Sequence, residues 1–359
     1  MKIFVLTDCP SPYQVELFNE IEASGGCELE VAYLRGRDPS RQWKPLEIRH
    51  AAVELNGNGV SRARLCAREA DLVVFNYYRH ATAEELIDER AAQGAPWCFW
   101  GERPGVREPA WAGRLLRKWK LSTLHASAVP IWGIGKFAVD EYKREFGARR
   151  AYFNLPYFSD LQRFNISGSE RRSERTFLFS GSLIKRKGVD LLARAFVRLA
   201  REFPKVRLRI VGQGELRRWL ELMLAPVQER VEFVGFKDWD ELPREYASAD
   251  VLCVPSRYDG WGLVVTEGLA SGLPVIATDR MGAALEFVET GRNGWLIEAA
   301  NEKALLNAMR EAAVIDLDKV RDQAHESVSM HTLQNGAARF LQYACFSHGS
   351  YRLKTRIDV

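Results

Sequence analysis

Short apolar runs alternate with longer amphipathic stretches along the whole chain, and this alternation restricts the fold more than any other feature. Apolar runs of about four to eight residues bounded by turn residues read as buried strands. In the first half they fall at 2–6, 28–33, 72–76, 97–100, 129–132 and 151–153, with helical patterns at 13–23, 81–93 and 136–146 between them. In the second half they fall at 176–180, 206–211, 231–234, 251–254, 274–277 and 295–297, separated by helical patterns that include 189–203, 262–271 and 302–313. Strands alternating with helices predict parallel sheets covered by helices on both faces.

A chain of 359 residues is too long for one typical domain and fits two. Pro156 interrupts 154–160, and 165–175 is polar, contains Gly168 and has no apolar period. The expected organisation is a first domain over 1–160, a linker at 161–175, a second domain over 176–330 and a closing segment at 331–359. Its helix, 331–344, is expected to pack back toward the first domain ahead of a basic tail at 351–359. The fold class is therefore α/β, with two doubly wound Rossmann-like domains facing across a cleft. Ligands of such sheets bind at the carboxyl ends of the strands.

Ten Trp, 11 Tyr and 18 Phe supply ample core material, which excludes disorder as the main state. No run of about 18 apolar residues is present. The opening residues meet Asp8 and Pro10 before any long apolar core, so a secretory signal is not expected. Cys9, Cys27, Cys66, Cys98, Cys253 and Cys345 are scattered and read as reduced thiols of a cytoplasmic protein. A net charge of +4 does not call for nucleic acid, and permits phosphate-bearing or membrane-surface partners. The six histidines form no metal-spaced set, and neither a metal nor a cofactor is expected.

Two constellations carry chemistry. Ser180-Gly-Ser-Leu-Ile-Lys-Arg-Lys-Gly188 follows a strand and precedes a helix. Glycines let a ligand approach the backbone, a helix start attracts anions, and Lys185, Arg186 and Lys187 add full charges there. A diphosphate suits such a loop, as does the plainer role of a solvated basic turn. The G-x-x-x-x-G-K-[ST] order is absent. Asp259-Gly-Trp-Gly-Leu-Val-Val-Thr-Glu267 follows the next strand but two and opens another helix. Gly260 and Gly262 would expose backbone N–H groups to a phosphate. Glu267 could accept hydrogen bonds from a ribose diol, and Asp259 from hydroxyls of a second sugar. Against this stands a turn aspartate and an exposed helix charge.

From Ser180 to Ile297 these pieces resemble, in order, the carboxyl-terminal domain of retaining GT-B glycosyltransferases of the group 1 type. Val211-Gly-Gln-Gly-Glu215 resembles its strand-then-GxG turn, and Val231-Glu-Phe-Val-Gly-Phe236 its base-side loop. Glu267-Gly-Leu-Ala-Ser-Gly-Leu-Pro-Val-Ile-Ala277, Gly282 to Glu286, Gly291 and Gly294 complete the pattern. The first domain matches only in its α/β alternation and its closing Asn154-Leu-Pro-Tyr-Phe-Ser-Asp160. The resemblance implies a nucleotide-diphosphate sugar as donor, held by the second domain, and a glycan or lipid-linked acceptor, held mainly by the first. It implies Lys187 on the diphosphate, Glu267 on the ribose, Asp259 at the donor sugar and Phe236 near the base. It places the backbone of Gly260, Trp261, Gly262 and Leu263 against the sugar phosphate, with Gly181, Ser182, Arg186 and Gly212 also on the donor side. It further implies bacterial surface polysaccharide biosynthesis as the setting.

The chain departs from the family at four places. Asp259 stands where Glu is usual, an arm shorter by about one C–C bond. Ser182 stands where Arg is usual. Cys9-Pro-Ser-Pro-Tyr13 with Gln14 replaces a Gly-Gly turn, which makes Tyr13 and Gln14 the acceptor-side candidates. Glu102 follows the strand after which a His is common. It could steady an oxocarbenium-like centre or orient an acceptor hydroxyl, or instead pair with Arg103 or Arg107. The departures at Ser182, Asp259 and Glu102 are the support for one alternative, an inactive nucleotide-sugar-binding scaffold; the ordered Asp259-to-Glu267 segment argues against a second, a nucleotide-sugar 2-epimerase of the same fold.

Two further segments need a reading. Asp238-Trp-Asp240 resembles a metal-binding DxD, but Asp238 with Glu241 resembles a helix-start capping box. Wound as a helix, 110–121 gathers Trp111, Leu115, Leu116 and Trp119 on one side and Arg114, Arg117, Lys118 and Lys120 on the other. It suits either a domain helix that buries its apolar side or a peripheral contact with an anionic membrane.

Overall fold

The computed structural model describes residues 1–38, 42–55, 59–78, 80–104, 110–165 and 174–355. The chain divides into two compact units, Met1–Asp160 with Thr332–Val359, and Leu161–His331. In the first unit the strands are β1 (Lys2–Thr7), β2 (Glu28–Tyr33), β3 (Ala51–Glu54), β4 (Leu72–Phe75), β5 (Trp97–Gly101), β6 (Ile131–Gly133) and β7 (Tyr152–Asn154). They form a seven-stranded sheet in the order β3-β2-β1-β4-β5-β6-β7. In the second unit β8 (Arg175–Ser180), β9 (Val206–Val211), β10 (Val231–Gly235), β11 (Val251–Val254), β12 (Val275–Thr278) and β13 (Gly294–Ile297) form a six-stranded sheet in the order β10-β9-β8-β11-β12-β13. Every pairing is parallel.

Strand composition follows from this layering. Every residue of β4, β11 and β12 is buried, because helices cover both faces and leave no face for polar side chains. The helix Val189–Glu202 buries Val189, Leu192, Phe196 and Leu199, a helical spacing that lays one stripe on the sheet. Strand β3 lacks any such signal: three of its four residues are exposed at the sheet edge, and only Val53 points inward.

In each sheet the strand order reverses once, between β1 and β4 and between β8 and β11. Loops leaving neighbouring strands in opposite directions open a crevice at the carboxyl ends there. The stretch 161–175 starts with a 3₁₀ turn, Leu161–Phe164, whose Leu161 and Phe164 are buried in the second unit. The final helix, Leu333–Thr355, belongs to the first unit. Its Phe340 is fully buried edge-on against Trp132, with ring centroids 5.3 Å apart, and Ser347 Oγ accepts from Trp132 Nε1 at 3.1 Å.

The helix Ala110–Lys120 departs from a domain helix that buries its apolar side. Leu115, Leu116 and Trp119 are exposed, Trp119 by 74%. Lys118 and Lys120 are exposed beside them, while Arg117 pairs with Glu145 at 2.9 Å. The side chains of Trp111 and Arg114, and Arg107 altogether, lie outside the described residues. Among the described residues no helix is long and apolar enough to cross a membrane.

The loop before β3 is pinned to the first helix, Pro12–Ala23, through His50. Asn19 Oδ1 can only accept, so the 2.8 Å contact makes His50 Nδ1 a donor. Nε2 then accepts from the Tyr33 hydroxyl at 2.9 Å, which requires a neutral ring. Burial lowers the His50 pKa to about 4 from 6.5. The unfolded chain therefore binds a proton between these values that the folded chain refuses, and stability falls as pH drops from 6.5 toward 4. His50→Gln should lack this component, which amounts to about 3 kcal/mol, and urea unfolding of both proteins across that range checks it.

Candidate functional site

The crevice of the second sheet is built by the loops that follow β8 and β11. Lys185–Lys187 forms a 3₁₀ turn, and Gly188 carries φ of 72° before the helix Val189–Glu202. A Cβ on Gly188 would lie 1.9 Å from Pro255 O, so only glycine lets the two loops approach this closely. Arg257 fastens the contact. Its guanidinium grips Asp190 at 2.6 and 2.8 Å in a two-pronged pair, and it also donates to Lys185 O. Its backbone N–H donates to Arg186 O at 2.8 Å, and Arg186 Nη1 returns a bond to Tyr258 O at 3.0 Å.

This fastening brings Lys187 onto Asp259, where Nζ bonds Oδ2 in an ion pair with both side chains mostly buried. Arg186 Nη1 stands 3.9 Å from the same oxygen. Gly262, with φ of 90°, caps the helix Leu263–Ala270, and a Cβ placed on it would lie 3.7 Å from the Asp259 carboxylate carbon. The helix start thus adjoins the ion pair. Further along that helix Glu267 accepts from the hydroxyl of Tyr246 at 2.8 Å.

The turns after β8, β9 and β10 run side by side. Gly181 N donates to Val211 O at 3.0 Å and Gly212 N to Gly235 O at 2.7 Å, which places Phe236, half-buried, next to the glycine turns. Ser182 and Leu263 are also half-buried, while Gly260 is buried. The Trp261 ring is fully buried, 6.0 Å from Phe287 and 6.2 Å from His331 between centroids, so this residue offers only its backbone to the crevice.

Of the expected residues, Gly181, Ser182, Arg186, Lys187, Gly212, Phe236, Asp259, Gly260, Trp261, Gly262, Leu263 and Glu267 thus lie on the loops and helix starts at one end of this sheet. Tyr13, Gln14 and Glu102 lie in the first unit. Gln14 is buried, and its amide nitrogen donates to Thr7 Oγ1 at 3.1 Å and Asn76 Oδ1 at 2.7 Å, a tie across the switch between β1 and β4. Tyr13 packs on Tyr157 with centroids 4.6 Å apart, and Glu102 hydrogen-bonds Tyr157. Burial, then the Glu102 charge, pushes the Tyr13 hydroxyl up and holds it protonated. Asp238 and Glu241 frame the turn that leads into the helix Leu242–Ala247: Glu241 Oε2 accepts from Asp238 N at 3.1 Å.

Three contributors escaped the sequence. Asp190 and Arg257 each stand two residues outside the two constellations and carried no role, since nothing in the linear order pairs residues so far apart. Tyr246 carried no signal at all.

Residues 162–326 match the family of group 1 glycosyl transferases. An uncharacterized glycosyltransferase of Methanocaldococcus jannaschii is 34% identical over 144 residues, 40% of this chain and 36% of the relative. The GDP-mannose-dependent alpha-(1-6)-phosphatidylinositol monomannoside mannosyltransferase of Mycolicibacterium smegmatis is 29% identical over 220 residues, 56% of this chain and 57% of that one. The chain thus spans well under two thirds of the length of either relative. The crystal structure of Anabaena HepE in complex with UDP superimposes with a TM-score of 0.75 at 17% identity, over 96% of this chain and 99% of that one. Residues 162–326 are thus similar to the group 1 glycosyl transferase domain, and the fold is GT-B.

Burial raises the Asp190 carboxyl, but the Arg257 hydrogen bonds and charge, with Arg194, outweigh it and hold the pKa below 3.8. The stabilisation is therefore fully present above 3.8 and is lost as pH falls through the lower folded value. Asp190→Asn should lower stability at pH 7 by roughly 2 kcal/mol. That deficit should shrink below pH 3.8. Thermal unfolding at the two acidities checks both statements.

Proposed function

We propose that the chain is a retaining glycosyltransferase that moves a sugar from a nucleoside-diphosphate donor to a hydroxyl of a glycan or lipid-linked acceptor, in bacterial surface polysaccharide biosynthesis. One observation carries it: the cationic loop of Lys185–Lys187 is fastened to the acidic, glycine-rich loop at the point where the second sheet reverses its strand order. A diphosphate brings the same kind of negative charge that Lys187 meets in Asp259. Arg186 and the start of the helix Leu263–Ala270 adjoin the same point.

In this proposal the bond between the anomeric carbon and the diphosphate oxygen breaks, and Lys187, Arg186 and the helix start take up the charge on the leaving diphosphate. The acceptor hydroxyl attacks on the face the diphosphate leaves and gives its proton to the departing phosphate oxygen. Asp259, released from Lys187, turns to the hydroxyls of the donor sugar. Glu267 accepts hydrogen bonds from the ribose, and Phe236 borders the base. Tyr13 and Glu102 line the acceptor side, and Gln14 fixes the helix that carries Tyr13. The donor is a substrate, and no cofactor has a step in this scheme.

Relatives and structural neighbours favour this chemistry without fixing the donor, since one relative is named for GDP-mannose and one neighbour holds UDP. The mannosyltransferase relative is also named for phosphatidylinositol monomannoside. A lipid-linked acceptor gives the exposed Leu115, Leu116 and Trp119 a purpose: with Lys118 and Lys120 they would rest on the anionic inner face of the cell membrane, holding a cytoplasmic enzyme there.

Lys187→Ala and Glu267→Ala should each reduce kcat/KM for the donor by about a hundredfold while leaving acceptor KM within about threefold. Unchanged donor kinetics in both would displace the site. Thermal shifts with UDP-, GDP-, ADP- and dTDP-sugars identify the donor, because a specific ligand raises Tm. The protein should co-sediment with phosphatidylglycerol vesicles at low salt, and Trp119→Ala with Leu115→Ala should abolish this. Absence of wild-type binding would end the membrane proposal.

A further inference from the structure

Tyr246 lies on the short helix Leu242–Ala247, fully buried, with its ring edge-on to Phe164 at 5.2 Å between centroids. Its hydroxyl donates to Glu267 Oε2 at 2.8 Å. A phenol has one proton to give, and here it goes to the carboxylate. Tyr246 lies in neither the phosphate loop nor the Asp259-to-Glu267 motif; the pairing exists only because the helix Leu242–Ala247 meets the helix Leu263–Ala270 in the fold.

A carboxylate on a helix ordinarily samples several rotamers. A phenol immobilised in the core removes that freedom, and a bond to one oxygen fixes the plane of both. A carboxylate has about four acceptor sites, so one such bond orients it without saturating it.

We propose that Tyr246 is a positioning residue for donor recognition: it holds Glu267 in the one orientation that reads the ribose diol. This rests on Glu267 being the ribose carboxylate.

The test measures binding of UDP and GDP, each beside its 2′-deoxy and 3′-deoxy analogue, by isothermal titration calorimetry, to wild type, Glu267→Ala, Tyr246→Phe and Tyr246→Met. Wild type should prefer the ribonucleotide of its own base. Glu267→Ala should bind all three sugars alike. Tyr246→Phe keeps the ring, and should lose about fivefold of the discrimination while its affinity for the deoxy analogues stays within about twofold. Tyr246→Met, which also keeps an apolar side chain and lacks the hydroxyl, should lose the same discrimination, and it stands as the test should Tyr246→Phe fail to fold. A merely structural role for Tyr246 would weaken ribo and deoxy forms equally. That equal loss, or wild-type discrimination in Tyr246→Phe, overturns the positioning role while leaving Glu267 in place. Discrimination that survives in Glu267→Ala overturns the ribose assignment itself, and the positioning role with it.

Discussion

The ion pair between Lys187 and Asp259 is the contact on which the second unit's crevice depends. Moving two charges out of water is costly, and their attraction repays it only with good geometry and supporting hydrogen bonds. Here the support is explicit. Arg257 and Asp190 hold the two loops together from behind, Gly188 lets them touch, and Asp259 N is anchored to Arg280 O at 3.0 Å. Both side chains are mostly buried at the loop tips. Under the proposed function, such a lysine meets a diphosphate with most of its desolvation already met in folding rather than in binding.

The same fastening explains why the glycines and the helix start fall where they do. Gly262 turns the backbone into the helix Leu263–Ala270 beside the ion pair, and Trp261, buried under it, keeps that turn from moving. On the other flank, Glu267 is tied to the buried hydroxyl of Tyr246. In the first unit a comparable tie, Thr7 with Gln14 and Asn76, spans the switch between β1 and β4 and leaves Tyr13 packed on Tyr157.

Much of this was legible in the sequence, for physical reasons that also mark its limits. Strands buried on both faces must be continuously apolar, so β4, β11 and β12 announce themselves. Edge strand β3 has one buried residue and announces nothing. The glycine and lysine positions of the two loops are local in sequence, and so readable. Asp190 with Arg257, Tyr246 with Glu267 and His50 with Asn19 are long-range pairs, and no periodicity encodes them. The helix Ala110–Lys120 was readable as amphipathic, but which way its apolar side faces is a property of the packing, and three of those residues turn out to be exposed.

The most direct measurement is a crystal structure of the protein soaked with UDP or GDP at saturating concentration. The diphosphate is predicted to sit within hydrogen-bonding distance of Lys187 Nζ and the amides that follow Gly262, with Asp259 turned away from the lysine and the ribose against Glu267. A nucleotide bound elsewhere on the protein, or a Lys187–Asp259 pair that stays closed with the crevice vacant, would contradict the account.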